Sequence, residues 1–216
     1  MTKTRVKICG ITSVEQARWA VDAGADAIGL VFYEPSPRFV NLTLAAEIAA
    51  AVPAFVTVVS LFRNAVVGQV QQVCKRVQPD MLQFHGDEPA EFCEQFDRPW
   101  MKALGMNDMA EPAQVELAAG PFSKARGLLL DSHSGKKAGG SGKAFDWSLV
   151  PENMRGRFIL AGGLNPQNVA EGITRLRPWA VDVSSGVESS PGIKSKAKIV
   201  AFMAALNQVD ADLYGR

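Results

Sequence analysis

The sequence predicts a single-domain α/β protein folded as a (β/α)8 barrel, a TIM barrel. Three observations lead there. Eight short apolar or β-branched runs recur along the chain, helical patterns separate them at a period of about 20 to 30 residues, and the length of 216 residues suits one compact barrel. The runs are Val6 to Cys9, Ala27 to Phe32, Thr57 to Phe62, Met81 to His85, Trp100 to Leu104, Gly127 to Asp131, Phe158 to Gly162 and Ala180 to Ser184. Right-handed crossovers in series roll a sheet onto itself, so eight units favour closure over an open sheet. An open doubly wound sheet would normally carry G-x-G-x-x-G after its first strand; here that turn reads Cys9-Gly10-Ile11-Thr12.

The first helical pattern is Ser13 to Ala23, with Ser13 as a cap and Gly24 as a stop. Others follow at Thr43 to Val52, Ala65 to Val77, Pro89 to Gln95, Pro112 to Ala119, Asn165 to Thr174 and Lys194 to Gln208. The sixth crossover offers only a short candidate near Asp146 to Val150. No linker, low-complexity tract or internal duplication divides residues 1–216.

Lys and Arg number 23 against 22 Asp and Glu, so no bulk field draws the chain to nucleic acid or an anionic membrane. Any anionic ligand must be held by local chemistry. The three cysteines, Cys9, Cys74 and Cys93, have neither C-x-x-C spacing nor an even count, which fits a reducing compartment. The opening residues lack the apolar core of a signal peptide, and no apolar stretch approaches the roughly 18 residues of a membrane span. A cytoplasmic protein is expected. Asn41-Leu42-Thr43 matches a glycosylation sequon, a pattern short enough to arise by chance.

In a barrel the functional face lies at the C-terminal ends of the strands. Cys9 ends the first run, Arg38 follows the second after a Pro-bracketed turn, His85 ends the fourth, Asp131 the sixth, and Ser184-Ser185-Gly186 the eighth. By residue type alone a free cysteine is a small buried hydrophobe. At the barrel mouth, followed by Gly10, the Cys9 thiol becomes a candidate base or nucleophile. Cys74 and Cys93 sit in helical patterns and read as packing residues. With two histidines in the chain, a metal site at Cys9 and His85 would need several carboxylates, and none is expected.

Asp131 directly follows a buried run, where a carboxylate caps a helix, pairs with a buried cation or acts as an acid. No helix begins after it. The Gly-, Ser- and Lys-rich stretch 132–143 reads as a mobile loop over the site. It is not a nucleotide P-loop, since Lys137 and Ala144 stand where Gly and Ser or Thr are required. Gly162-Gly163 and Ser185-Gly186 follow the last two strands, where barrels commonly bind phosphate through backbone amides.

Alternation in Val6-Lys7-Ile8-Cys9 places Lys7 on the face of Cys9, inside the barrel. Closure makes the eighth strand its neighbour, so Asp182 is the expected partner, and the ammonium would favour a Cys9 thiolate. In the alternative, the first strand is rotated and Lys7 reaches solvent at the bottom rim.

Several of these segments together are similar to the phosphoribosylanthranilate isomerases. They are Val6-Lys7-Ile8-Cys9-Gly10-Ile11-Thr12, Ser36-Pro37-Arg38, Gln83-Phe84-His85-Gly86, Leu129-Leu130-Asp131, Gly139-Gly140-Ser141-Gly142, Phe145-Asp146-Trp147, Leu160-Ala161-Gly162-Gly163-Leu164 and Asp182-Val183-Ser184-Ser185-Gly186-Val187-Glu188. Each block is weakly specific; their order along nearly the whole chain is strongly so.

The resemblance implies a cofactor-free Amadori rearrangement of a small phosphosugar substrate, N-(5-phosphoribosyl)anthranilate, in tryptophan biosynthesis. By position, Asp131 would be the general acid that opens the furanose and Cys9 the base that takes the C2 proton. Arg38 matches the position that meets the anthranilate carboxylate; Gly163, Ser185 and Gly186 match the phosphate-binding turns. His85 is expected either to touch substrate or to make a structural hydrogen bond. Phe84 and Ser141 replace the usual Leu and Thr without altering the chemistry. The chain looks monofunctional, and a monomer or weak homodimer is expected. The rivals are another phosphosugar isomerase or epimerase barrel, such as the aminoaldose isomerase of histidine biosynthesis, and a non-catalytic phospholigand-binding barrel.

Overall fold

The computed structural model describes residues 3–132 and 144–215, and its eight parallel strands close into a barrel in sequence order. They are β1 Arg5–Cys9, β2 Ala27–Val31, β3 Thr57–Phe62, β4 Met81–Phe84, β5 Trp100–Gly105, β6 Gly127–Asp131, β7 Phe158–Leu160 and β8 Ala180–Val183. Closure is made by β1 against β8, with Lys7 in register with Asp182. Thr57–Phe62 and Gly127–Asp131 have the bounds expected from sequence; the other strands differ by one or two residues at an end.

The helices are α1 Val14–Asp22, α2 Leu42–Ala50, α3 Val67–Arg76, α4 Ala90–Glu94, α5 Pro112–Ala119, α6 Val169–Leu176 and α7 Lys196–Tyr214. Ser13 caps α1, its hydroxyl accepting from Gln16 N at 3.1 Å. Asn41 caps α2 in the same way, accepting from Leu44 N at 2.9 Å, so the sequon asparagine has a structural task. Among the described residues the β6 to β7 crossover holds two short 3-10 turns, Trp147–Leu149 and Glu152–Met154. The 132–143 loop expectation, with Gly139 to Gly142, lies outside the described residues except for Ser132.

Strand alternation divides the barrel into two packings. Val6, Ile8, Ile28, Leu30 and Phe62 join the helices in the main core, while Val59, Met101, Ala103, Leu129 and Ala161 form a smaller cluster inside. Phe84 belongs to the outer packing, stacked between Phe62 and Phe96 at centroid separations of 6.0 and 5.8 Å. The unusual aromatic at this position is thus absorbed between sheet and helix, away from the mouth.

Two helix expectations need correction. α6 starts four residues beyond Asn165, because Asn168 Oδ1 accepts from Asn165 N and Asn168 Nδ2 donates to Gly163 O, tying the segment into a turn. Lys194 is not helical. It ends a hairpin made of β9 Glu188–Ser190 and β10 Ile193–Lys194, turned at Gly192 with φ +84°, and α7 begins only after the Ser195 cap.

Candidate active site

β1 and β8 place three side chains at the mouth because their registers agree: Lys7 lies beside Asp182, and Cys9 lies one inward step above Lys7. Lys7 Nζ donates to Asp182 Oδ1 at 2.9 Å, with side-chain exposures of only 6% and 7%. The rotated-strand alternative, with Lys7 in solvent, is therefore not the arrangement present. Burial acts to lower the Lys7 pKa, but Asp182 and Cys9 overrule it and the ammonium is held more firmly than usual. Cys9 is 5% exposed. Burial pushes its thiol pKa up; Lys7 pulls it down, Asp182 works with burial, and Lys194 adds a further downward pull.

β2 contributes by what it lacks. Gly29 is in register with Cys9, and a Cβ there would lie 2.8 Å from Cys9 Sγ and 3.1 Å from Lys7 Cε. The sequence reading missed this residue. A Gly within the β2 run was the available signal, since an interior strand glycine marks a close approach.

Asp131 ends β6 and faces His85 across the mouth, with His85 Nε2 3.0 Å from Asp131 Oδ2. His85 Nδ1 lies 2.8 Å from Gln83 Nε2. With the Gln83 amide donating to Nδ1, the ring proton sits on Nε2 and is donated to Asp131. The loop carrying His85 is braced from behind. Glu88 accepts from Gly86 N at 2.8 Å and from buried Lys102 Nζ at 3.0 Å.

Arg38 reaches the mouth from the turn after β2, where Glu188 grips it with two hydrogen bonds: Nε to Oε1 at 2.7 Å and Nη2 to Oε2 at 2.8 Å. Glu188 also accepts from Lys194 Nζ at 2.7 Å. Burial alone would raise the Glu188 carboxyl pKa, yet its bonds to Arg38 and Lys194 hold it below the ordinary value. Neither Glu188 nor Lys194 was singled out from sequence. The Pro191-Gly192 turn was the signal for the hairpin that carries them.

Cys9, Arg38, His85, Asp131 and Asp182 all line one cavity of about 160 Å³, whose apolar wall includes Val31, Leu61 and Tyr33. A smaller recess opens beside it between Gly162, Gly163 and Ser185, sharing Asp131, Asp182 and Ser184 with the first. Gly162 and Gly163 have φ of +78° and +65°, which glycine adopts without strain. Gly186 begins no such turn, but its Cα packs against Leu164 O and the Asn165 backbone, leaving no room for a Cβ. The two glycine turns are thereby joined. No group of three or more His, Cys, Asp or Glu suited to a metal occurs among the described residues, and no described helix is long and apolar enough to cross a membrane.

A closed eight-stranded barrel with a thiol, a carboxylate and an arginine converging on one cavity at the C-terminal ends of its strands defines a barrel enzyme equipped for proton transfer. Residues 6–205 match the family described as N-(5'-phosphoribosyl)anthranilate (PRA) isomerase, and the chain belongs to that family. The relative of that name from Pseudomonas fluorescens Pf-5 is 52% identical over 208 residues, covering 96% of this chain and 98% of that one. The one from Dechloromonas aromatica is 47% identical over 211 residues, covering 98% and 100%. Among solved structures, the phosphoribosylanthranilate isomerase of Thermotoga maritima superposes with a TM-score of 0.84 at 38% identity, covering 95% of this chain and 99% of that one. A phosphoribosylanthranilate isomerase in complex with reduced 1-(o-carboxyphenylamino)-1-deoxyribulose 5-phosphate gives a TM-score of 0.81 at 38% identity, covering 95% of this chain and 99% of that one.

Proposed function

We propose that this isomerase converts N-(5-phosphoribosyl)anthranilate to 1-(2-carboxyphenylamino)-1-deoxyribulose 5-phosphate, with Asp131 as general acid and Cys9 as general base. The observation that carries the assignment is that both groups line the same cavity, from strands β1 and β6, which β7 and β8 separate around the barrel. Asp131 gives a proton to the furanose oxygen as the C1–O bond breaks, leaving an open-chain Schiff base. Cys9 takes the C2 proton, and that electron pair forms the C1–C2 double bond of an enolamine while the C=N pair returns to nitrogen. Ketonisation places a proton on C1 and releases the one on O2, so the net change is an isomerisation. His85 acts through Asp131: its hydrogen bond orients the carboxyl, which makes it a positioning residue.

The substrate's two anionic ends have separate receptors. Arg38, anchored through Nε and Nη2, retains Nη1 for the anthranilate carboxylate, and Tyr33, Val31 and Leu61 suit the aromatic ring. The recess at Gly163 and Ser185, beside Gly186 where it packs on Leu164, takes the phosphate. A non-catalytic barrel would have no use for a buried thiol beside a lysine. The reading extends to a monomer or weak homodimer in the cytoplasm, a reducing compartment that three free cysteines without C-x-x-C spacing suit. The Thermotoga protein is described as dimeric, with monomers generated from it. In this chain exposed Phe55 and Trp179 border the opposite, N-terminal opening of the barrel. Self-association there would leave the catalytic mouth open.

The test is complementation of a tryptophan auxotroph lacking this isomerase, with turnover of purified protein followed by loss of substrate fluorescence. Growth and turnover are expected. Growth failure of a well-expressed protein, together with no turnover in vitro, overturns the assignment.

A further inference from the structure

Lys194 is among the most completely enclosed cations in the molecule, with a side-chain exposure of 0%, and the acid–base chemistry assigned above makes no use of it. Its ammonium has three protons and three acceptors: Glu188 Oε1 at 2.7 Å, Ser184 O at 3.1 Å and Ser184 Oγ at 3.3 Å. Ser184 Oγ in turn donates to Cys9 O at 3.0 Å. A chain of hydrogen bonds thus runs from the β9–β10 hairpin to the end of β1. The hairpin itself is fastened to both neighbouring loops, because Thr12 Oγ1 donates to Gly192 O at 2.8 Å and Pro37 O packs directly on Gly192.

The charges around this chain do not balance. Lys7 has Asp182 to itself, whereas Glu188 is shared between Arg38 and Lys194. Three cations face two carboxylates, leaving one positive charge before Cys9 ionises. The other charged or titratable groups facing Cys9 across the cavity are Arg63 after β3, His85 after β4, Asp131 on β6 and Tyr33 after β2. Arg63 is a cation and Asp131, as the general acid, carries its proton, so neither cancels the excess. A buried charge of this kind is costly unless a counter-charge forms nearby.

We propose that Lys194 is a positioning residue for the general base: through Ser184 it fixes the end of β1, and its incompletely neutralised ammonium adds a second positive charge to that of Lys7 in support of the Cys9 thiolate. This deepens the reading of Cys9 as the base and rests on it. Lys7 acts on the same thiolate more strongly, but it has Asp182 to itself, whereas Lys194 shares its carboxylate with Arg38. Burial holds the Lys194 pKa below and the Cys9 pKa above the ordinary value, and the two charges act on each other against it, each favouring the other's ionised form.

The experiment measures the thiolate directly, without turnover. The full chain is alkylated with iodoacetamide from neutral to strongly alkaline pH, and modification of the Cys9 peptide is followed by mass spectrometry, which separates it from half-exposed Cys74. In Lys194→Met the midpoint of Cys9 alkylation should rise by about one pH unit, with kcat at neutral pH falling about tenfold and KM changing little. Glu188→Gln provides the opposite arm, since it removes a carboxylate and should lower the midpoint; it also keeps the test open if Lys194→Met does not fold. Unchanged midpoints in folded variants, or a shift of the same sign in both, overturn the proposal. If the midpoints move as stated while Cys9→Ala keeps full turnover, the electrostatic device stands and the assignment of Cys9 as base falls.

Discussion

Two ion pairs on the first strand have the same length and opposite circumstances. Arg5 and Asp26 meet at 2.9 Å at the N-terminal rim, with side chains 51% and 24% exposed; Lys7 and Asp182, two residues further along β1, also meet at 2.9 Å but are almost wholly enclosed. Distance does not separate them. In water the rim pair exchanges one set of strong interactions for another, so its net value is small. Inside the barrel neither partner has water to return to, so removing one strands the other. The same contrast holds for the two ends as a whole. Arg126 and Arg157 line the bottom opening as exposed side chains, whereas Arg38, Lys7 and Lys194 at the mouth are each bound to a buried carboxylate.

The strongest break in this contrast comes from the mouth's chemistry. Cys9→Ala and Asp131→Asn should each lower kcat by at least about a hundredfold while the protein remains folded, within the range for acid–base groups. Steady-state kinetics beside a thermal melt decides it, and near-normal kcat in either variant removes that residue from the mechanism. No bottom-rim substitution should approach this.

Next is the comparison of the pairs themselves. Lys7→Met should cost about 3 to 5 kcal/mol by leaving Asp182 buried without its partner, and Arg5→Ala about 1 kcal/mol or less. Urea denaturation of both variants measures the difference. Equal losses would show that burial is not what distinguishes the pairs. Lys7→Met should also move the rise of kcat/KM with pH further into the alkaline range, because it removes the largest influence that lowers the Cys9 pKa.

Arg38→Ala should raise KM by roughly ten- to a hundredfold, the equivalent of about 1.5 to 3 kcal/mol for a charged hydrogen bond. Inhibition by inorganic phosphate should be almost unaffected. If anthranilate and phosphate affinities weaken together, the carboxylate and phosphate receptors are not separate.

The smallest expected effect is on acid stability. Glu188 has a folded pKa below its ordinary value of 4.5, so its contribution is complete above that pH and is lost as the pH falls through the folded value. Glu188→Gln should therefore flatten part of the stability loss below about pH 4.5 in acid titrations followed by circular dichroism. An unchanged acid limb would mean that the hairpin carboxylate does not contribute to it.

Much of the barrel is legible in the sequence. Eight apolar runs, the Ser13 cap and the strand-end positions of Cys9, His85 and Asp131 are local properties, set by period, capping and turn chemistry over a few residues. The pairing of Lys7 with Asp182 was legible too, because closure and alternation together determine which neighbour an inward lysine meets. Other features depended on contacts that no local pattern encodes. Glu188 and Arg38 are far apart in sequence, and they join only because the β9–β10 hairpin folds back over the turn after β2. Lys194 opens the helical pattern expected over Lys194 to Gln208; burial against Glu188 and Ser184 made it part of the site instead. Gly29 looked like an ordinary strand residue until register set it against Cys9. Sequence alone thus determined the fold class, the family and which strand ends carry the chemistry, since these follow from local periodicity and motif order. Tertiary structure decided how the charges are shared and which cations remain incompletely matched, because electrostatics inside a barrel depends on distances and burial across strands and loops that are remote in the chain.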